Sequence, residues 1–217
     1  MKRKSFTLVF ILSLVSGPAC SQVEPDMPNH MSYADRSAVE ADWMKTINKG
    51  LESAKDIFLG ASEITLKQVG VSKADLSRGD METIGMPVYN LMMQDYSLLN
   101  SQSVLEKTLI LDSQRAFFIM SWKGRALLST TLEYSQSQWN FSGVFGLYPE
   151  GSMNPVAEAL REKRKIFYVT VGAEVSPKIV FASYIVEERN GLLCEFATGR
   201  NLKEVLLERK PVKGSIM

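Results

Sequence analysis

The sequence is poor in the residues on which most enzyme active sites and metal sites depend. Its 217 residues include one histidine and two cysteines. The histidine, His30, stands in a stretch with prolines and polar residues and no periodicity, where it is badly placed to orient a nucleophile. Ser-His-Asp triads, zinc sites with paired histidines and Cys-His dyads are therefore excluded. We expect no metal and no cofactor.

The chain also lacks an excess of charge of either sign. It has 25 Lys and Arg against 24 Asp and Glu, a net charge of +1, which excludes the basic footprint of a dedicated nucleic-acid binder. A Gly-rich phosphate loop is missing as well, because Gly143-Val144-Phe145-Gly146 has no following Lys-Ser/Thr pair. With 45% hydrophobic and 23% charged residues, the composition is that of a folded globular protein.

The first twenty residues have the pattern of an export signal. A basic start, Lys2-Arg3-Lys4, is followed by an apolar run from Phe6 to Val15 and then by Ser16-Gly17-Pro18-Ala19-Cys20. A charged start, about ten apolar residues and small residues at the end are typical of secretory signal peptides. The run is too short for a permanent membrane span, which needs about 20 apolar residues.

Small residues directly before Cys20 make this segment resemble the signal of a bacterial lipoprotein. That resemblance implies that Cys20 carries lipid and becomes the new N-terminus, which would place the protein at the cell envelope as a periplasmic or outer-membrane lipoprotein. Gly17 departs from the pattern, since an aliphatic residue usually stands three places before the cysteine. The alternative is ordinary cleavage after Ala19, which would make the protein fully secreted.

Removal of the signal changes the charge balance. Residues 1–20 hold three basic and no acidic residues, so the mature chain has 22 basic against 24 acidic residues, a net charge of −2. We therefore divide the chain into a signal peptide at 1–20, a flexible tether at 21–34 and one α+β domain at 35–217, with a weak subdomain break at 146–153.

The periodicity of the domain predicts a helix packed on an antiparallel β-meander, followed by a short helix, a β-hairpin and a C-terminal helix. The first helix has apolar residues every three or four positions from Val39 to Phe58 and ends near Gly60. For the segment that follows in sequence, Ser62 to Ser77, we predict one or two short helices whose Ile64 and Leu66 side chains face inward. The predicted meander strands are Pro87–Met92, Leu105–Leu111, Ala116–Trp122, Arg125–Tyr134 and Trp139–Phe145.

Residues typical of helix caps and turns indicate where further elements begin and end. Asn154 is predicted to cap the short helix, and Asn201 is predicted to cap the last one. Lys123-Gly124 predicts a turn, and Asn190-Gly191 predicts a tight hairpin because both residues tolerate positive φ. Pro87 is expected at the start of an edge or first strand, where a missing amide proton is tolerated.

Enzymes without histidine remain as an alternative, a secreted hydrolase with a Ser/Lys or paired-carboxylate site. The available Ser/Lys pairs are Ser121 with Lys123 and Ser176 with Lys178, and their spacing on strands or turns defines no geometry. The candidate carboxylates are Glu133, Glu174, Glu187, Glu188 and Glu195. Glu187 and Glu188 are adjacent and should point to opposite faces of a strand. We identify no catalytic residue and expect a protein that is not an enzyme.

Two groups of residues are candidates for binding. Basic residues near the end of the short helix could contact an anion or a membrane surface: Arg161, Lys163, Arg164 and Lys165. Aromatic residues of the meander could contact a ligand or partner: Trp122, Tyr134, Trp139 and Tyr148. Cys194 alternates with Leu192 and Phe196 and is expected to be a buried thiol rather than a nucleophile.

The segments Gly85–Tyr89, Phe117–Trp122 and Trp139–Gly143 resemble those of small exported bacterial domains of unassigned role, and no activity follows from that resemblance. The sequence therefore predicts an exported, lipid-anchored envelope protein that acts as a binding or assembly module. Its expected partners are a membrane, through the lipid anchor, and an envelope protein or small ligand, but no nucleic acid.

Overall fold

The computed structural model describes residues 32–34, 40–92, 99–135, 138–141, 153–175 and 178–208. Its helices are α1 (Glu40–Leu59), α2 (Glu63–Gln68), α3 (Gln102–Thr108), α4 (Asn154–Arg161) and α5 (Leu202–Glu208). Its strands are β1 (Met81–Met92), β2 (Ile110–Trp122), β3 (Arg125–Ser135), β4 (Gln138–Phe141), β5 (Ile166–Val175), β6 (Lys178–Arg189) and β7 (Leu192–Glu195). Among the helices of these ranges, none is long and apolar enough to cross a membrane.

The seven strands form one sheet in the order β4-β3-β2-β1-β5-β6-β7. Antiparallel ladders join β2 to β3, β3 to β4, β5 to β6 and β6 to β7. The predicted mixture of helices and sheet is thus confirmed. A parallel ladder between β1 and β5, running from Val88 opposite Tyr168 to Met92 opposite Gly172, was not predicted. Its strands are far apart in sequence, so no local turn signal marks the pairing.

The two tight turns predicted between strands are confirmed. Lys123 and Gly124 join β2 to β3 with φ of 48° and 80°, and Asn190 and Gly191 join β6 to β7 with φ of 52° and 76°. Two successive residues with positive φ form the turn whose twist matches that of antiparallel strands. Local backbone chemistry therefore fixes these two hairpins.

The prediction of a strand over Leu105–Leu111 is wrong, since most of that range belongs to α3. The Ser101 side chain accepts a hydrogen bond from the Val104 amide at 3.2 Å and caps this helix, and β2 begins only at Ile110. Leu105 and Leu109 are both fully buried. Apolar residues four apart fit a helix face, and a short apolar run does not by itself distinguish helix from strand.

The strand that contains Pro87 is the first strand of the chain, one of the two predicted alternatives, and it is not an edge strand. It begins at Met81, so the prediction that Pro87 stands at its start is wrong. The parallel ladder with β5 begins at Val88, directly after the proline. A residue without an amide proton is tolerated where a ladder begins. The same rule therefore holds inside a long strand, at the residue where the ladder to one neighbour begins.

Of the two predicted caps, only that of α5 is confirmed. Asn201 Oδ1 accepts a hydrogen bond from the Lys203 amide at 2.9 Å. At α4 the Ala157 amide donates to the carbonyl of Met153, so Met153 precedes the first turn, and Asn154 does not cap it. Asn154 Oδ1 instead accepts from the Ala126 amide at 2.7 Å. The Asn154 side chain, which we expected to cap its own helix, thus forms a hydrogen bond with strand β3.

The chain folds as two compact units, and each of them is discontinuous in sequence. Among the described residues, the first unit contains 44–85, 114–135, 138–141 and 153–158. Two glycines of this unit, Gly50 and Gly85, have no room for a side chain. A Cβ added to Gly50 would lie 2.6 Å from Trp139 Cβ, and one added to Gly85 would lie 2.7 Å from Ile47 Cδ1.

The prediction that Ile64 faces inward is wrong. Ile64 is 71% exposed, whereas Leu66 is fully buried. Residues two apart on a helix lie on nearly opposite sides, so α2 can bury only one of this pair.

The second unit contains residues 32–34, 40–43, 86–92, 99–113, 159–175 and 178–208 of the described chain. Its core includes the rings of Tyr33, Tyr89 and Phe167, which are at most 2% exposed. Tyr33 was assigned to the tether, yet the structure places it in this core. Residues 32–34 therefore belong to the folded unit.

The close approach at Gly50 gives a test of how α1 packs. Trp139 Cβ cannot move without β4, whereas Ile47 Cδ1 near Gly85 is the end of a flexible side chain. We expect Gly50→Ala to lower the free energy of unfolding by about 2 kcal/mol, although alanine is the better helix former. Gly85→Ala should cost less than about 1 kcal/mol. Urea unfolding followed by circular dichroism compares the two, and equal costs would contradict this packing.

Candidate functional site

The basic residues at the end of α4 and directly after it are partly neutralised by glutamates of strand β6. Arg161, Lys163, Arg164 and Lys165 are all exposed. Arg164 Nε donates to Glu187 Oε1 at 2.6 Å, and Lys165 Nζ donates to Glu188 Oε1 at 3.3 Å. Two of the four cations proposed to contact an anion or a membrane therefore already have carboxylate partners within the chain.

Glu187 is the buried centre of this charged cluster. It is 4% exposed and is held by Arg164 on one side and by the Nε of Arg189 on the other. Burial alone would raise the pKa of Glu187, but the hydrogen bonds from Arg164 and Arg189 outweigh it, so the pKa lies below its ordinary value. The carboxylate is therefore ionised at neutral pH and acts as a structural ion-pair partner.

Both arginines are themselves held in place. The Arg164 guanidinium carbon lies 5.7 Å from the centre of the Phe196 ring, within the range of a cation–π contact. A Cβ added to Gly199 would lie 3.2 Å from Arg189 Nη1, and Gly199 has φ of +70°. Gly199, in the turn after β7, therefore lies close to the Arg189 guanidinium, and a residue with a side chain would crowd it.

Glu188 points to the opposite face of β6 and has different partners. Its Oε2 accepts from the Tyr33 hydroxyl at 2.7 Å, and its Oε1 accepts from Lys165. The two adjacent glutamates therefore do not face one another, in line with the predicted alternation. They do not provide the facing pair of carboxylates that glycosidase-type chemistry requires.

Two of the remaining candidate carboxylates have partners elsewhere in the described structure. Glu195 Oε2 accepts from Thr198 Oγ1 at 2.6 Å, and Glu133 stands opposite Arg115 in the ladder of β2 and β3. The side chain of Glu174 lies outside the described residues. In the part of the chain that the structure describes, no group of three His, Cys, Asp or Glu could hold a metal ion.

The Ser121 and Lys123 side chains do not form a nucleophile–base pair. Ser121 is fully buried, and its hydroxyl has no hydrogen-bond partner among the described residues. Lys123 Nζ instead lies 4.8 Å from the centre of the Trp122 ring. Ser176, of the second pair, lies outside the described residues.

Trp122 and Lys123 stand together at the turn between β2 and β3. The Lys123 amide donates to the carbonyl of Asp80 at 2.9 Å, and Arg125 Nη2 donates to the carbonyl of Gly70 at 3.2 Å. Trp122 is half-buried, and its buried indole N–H has no acceptor among the described residues. The turn therefore presents an aromatic ring with a cation above it on a braced backbone.

The other aromatic candidates lie elsewhere. Tyr134 and Trp139 are cross-strand neighbours on β3 and β4, with ring centres 5.4 Å apart and planes at 58°. Because Trp139 also abuts Gly50, this pair contributes to the packing of α1. Tyr148 lies outside the described residues, as does Cys20, the proposed lipidation site.

Cys194 is a free, buried thiol, 7% exposed, as its pattern predicted. Leu192, two residues earlier and on the same side of β7, is nevertheless 45% exposed. Only part of that face is thus covered.

The sequence analysis did not identify Tyr33 and Arg189 as members of the charged cluster, although each has a sequence feature that could have indicated it. Tyr33 is the only aromatic residue in the segment assigned to the tether, where an apolar ring has no role unless it is buried. Arg189 follows Glu187 by two positions on one strand, a spacing that puts opposite charges on the same face.

No protein-family model, curated protein or solved structure matches this chain. The roles that we assign to its residues therefore rest on the contacts and the sequence pattern of the chain itself.

Glu187→Gln tests the charged cluster. Because the substitution leaves Arg164 and Arg189 without their shared carboxylate, we expect the free energy of unfolding at pH 7 to fall by about 2 kcal/mol. Since the pKa of Glu187 is lowered in the folded state, its stabilisation is present above the ordinary value of 4.5 and is lost as the pH falls through the lowered one. The deficit of the variant should therefore shrink at about pH 3.

Denaturant unfolding at both pH values measures this difference. Glu162→Gln is the matched control, because Glu162 is an exposed partner 3.7 Å from Arg164 Nη1 and should contribute less than about 0.5 kcal/mol. A deficit that stays constant with pH would show that Glu187 stabilises the fold by packing and not by its charge.

Proposed function

We propose that this chain is an exported bacterial cell-envelope protein, anchored in a membrane through lipid on Cys20, whose domain binds or assembles with another envelope component. The order of residues 2–20 carries this proposal: three cations, an apolar run and a cysteine after small residues. One acyl chain gives only marginal membrane binding, so a stable anchor at Cys20 needs at least two chains.

Within the proposed module, the finer fold assignment is α1 lying on the antiparallel strands β2, β3 and β4. The contacts of Gly50 with Trp139 and Leu132 support this assignment. A helix held so closely to the strands makes them a rigid support for their connecting turns.

We assign partner contact to the turn that carries Trp122 and Lys123. Tryptophan is enriched at binding hot spots because a large ring buries much surface at low entropic cost. The exposed cation beside the ring favours a partner with acidic groups at this point.

The distribution of charges supports binding through this turn over binding through the basic run. Arg164 and Lys165 are paired with Glu187 and Glu188, and the mature chain has a net charge of −2. General attraction to an anionic surface is weak for such a chain. A specific contact through Trp122 does not depend on net charge.

The anchor is tested by Cys20→Ala. We expect the protein to move from the membrane fraction to the soluble fraction when bacterial envelopes are separated by centrifugation, because the acyl chains supply the membrane affinity. Cys194→Ala is the matched control and should leave the protein in the membrane fraction, since the buried Cys194 thiol cannot carry lipid. Membrane retention of the Cys20→Ala variant would refute the anchor.

The partner surface is tested by capture from envelope extracts. Loss of a central tryptophan contact typically costs about 2 kcal/mol or more, so Trp122→Ala should weaken binding of the captured component by roughly 30-fold. Lys123→Glu reverses the exposed charge without touching the core and should weaken the same binding. Ile64→Ala removes exposed apolar surface elsewhere and should change nothing. Equal capture by all variants would place the contact on another surface.

A further inference from the structure

Glu187 has more positive charge beside it than one carboxylate needs. Arg164 Nε donates to Glu187 Oε1 at 2.6 Å, and Arg164 Nη2 lies 2.5 Å from the same oxygen. Arg189 Nε donates to the other oxygen, Oε2. One guanidinium group would be enough to match the buried charge, so the second leaves this group of three side chains with a net charge of +1.

Both guanidinium groups keep N–H donors that Glu187 does not use. A guanidinium has five such donors, and the Arg164 and Arg189 side chains are 38% and 42% exposed, whereas Glu187 is 5% exposed. Among the described residues, no acceptor binds the two Nη groups of Arg189. Arg164 Nη1 lies 3.7 Å from Glu162 Oε2, which is too far for a hydrogen bond.

The fold holds the two arginines in one arrangement. Glu187 fixes the Nε end of each side chain, and the Arg164 guanidinium lies against the Phe196 ring. Gly199 approaches Arg189 Nη1 so closely that a Cβ there would lie 3.2 Å away. A pair of side chains that is already ordered loses little entropy when a ligand binds.

Lys163 adds a cation directly before Arg164 in the chain. Its φ is 59°, at the turn that ends α4, where glycine is the usual residue. The turn is closed by a hydrogen bond from the Arg164 amide to the carbonyl of Ala159, at 3.0 Å. The Lys163 ammonium is exposed and has no carboxylate partner among the described residues. Residues with positive φ that are not glycine are concentrated at functional sites.

The charge around the arginine pair favours an anionic ligand. Residues 161–165 and 187–189 contain five cations and three carboxylates, a net charge of +2, and residues 195–200 add one charge of each sign. A phosphomonoester carries about −1.5 to −2 charges at pH 7, which matches this surplus.

We propose that the outer N–H groups of Arg164 and Arg189, together with the Lys163 ammonium, bind a phosphate group, as inorganic phosphate or on a phosphomonoester. Guanidinium groups bind phosphate oxygens through paired N–H donors in a fixed planar geometry. Glu187 is the positioning residue of this site, because it holds both arginines. The inference goes beyond the proposed function and depends neither on the lipid anchor nor on Trp122.

Titration calorimetry of the full chain with inorganic phosphate, at an ionic strength kept constant with sodium chloride, measures the binding. We expect saturable binding of one phosphate per chain. Arg189→Lys keeps a cation that can pair with Glu187 but loses the planar fork, so the affinity should fall about tenfold. Arg78→Gln is the control, because it removes a cation bound to Asp56 in the first unit and should leave the affinity unchanged. Absence of saturable binding would overturn the site.

Two further variants separate phosphate binding from a purely structural role of the cluster. Glu162→Gln removes the exposed carboxylate beside Arg164 Nη1, so phosphate should bind about threefold more tightly. Lys163→Gly removes a cation and supplies the residue that positive φ favours. Its phosphate affinity should fall about threefold, while its midpoint of urea unfolding should not decrease. Unchanged phosphate affinity in both variants would overturn the proposal.

The source of the phosphate group is decided by comparing two phosphomonoesters. Dihexanoyl phosphatidic acid, used below its micelle concentration, carries the group on a lipid, and glycerol phosphate carries it without acyl chains. Tighter binding of the phosphatidic acid, weakened by Arg189→Lys, would assign the site to a lipid headgroup. Equal or tighter binding of glycerol phosphate, weakened by the same substitution, would assign it to a soluble compound. Binding of both that Arg189→Lys does not weaken would overturn the proposal.

Discussion

The two adjacent carboxylates at the end of β6 organise much of the second unit. Glu187 and Glu188 leave the strand on opposite faces, and each binds a cation from the residues that follow α4. Glu187 also binds Arg189, and Glu188 also binds Tyr33. A buried carboxylate is tolerated only when its charge is matched, so Arg164 and Arg189 are what allow Glu187 to lie in the interior.

This use of charge explains why the candidate catalytic and anion-binding groups converge so little. Arg164, Lys165 and the two glutamates satisfy one another, and Lys123 lies over an indole ring. These candidate groups therefore act mainly as structural partners of one another. At the turn between β2 and β3, the half-buried ring of Trp122 and the exposed cation of Lys123 are available to contact a partner.

The parts of the fold that sequence could predict are those fixed by neighbours along the chain. Lys123-Gly124 and Asn190-Gly191 specify their turns through backbone conformation alone, and Asn201 caps a helix that begins beside it. The pairing of β1 with β5 and the burial of Tyr33 depend on residues far away in sequence. Asn154 shows the same limit, since its side chain serves β3 and not its own helix.

In the candidate site, too, the sequence predicted what depends on neighbouring residues and missed what depends on distant ones. Alternation along β6 correctly separated Glu187 from Glu188, but it could not indicate that Arg164 and Lys165 would reach them. The aromatic pattern identified Trp122 and Trp139 without distinguishing a ring at a turn from one packed under a helix. The close approach of Gly50 to Trp139 makes that distinction. Gly50 lies on a helix far from Trp139 in sequence, so the alternation of residues along the strands could not reveal the contact.

Gly50 also determines how α1 can move along the sheet. Every other residue type would place a carbon where Trp139 leaves room only for a hydrogen, so the glycine marks the one axial position that the helix can occupy. A slide by one turn would bring Ala54 to this point and introduce a collision. The fit at Gly50 therefore selects one register of α1 against β4 over a register shifted by one turn.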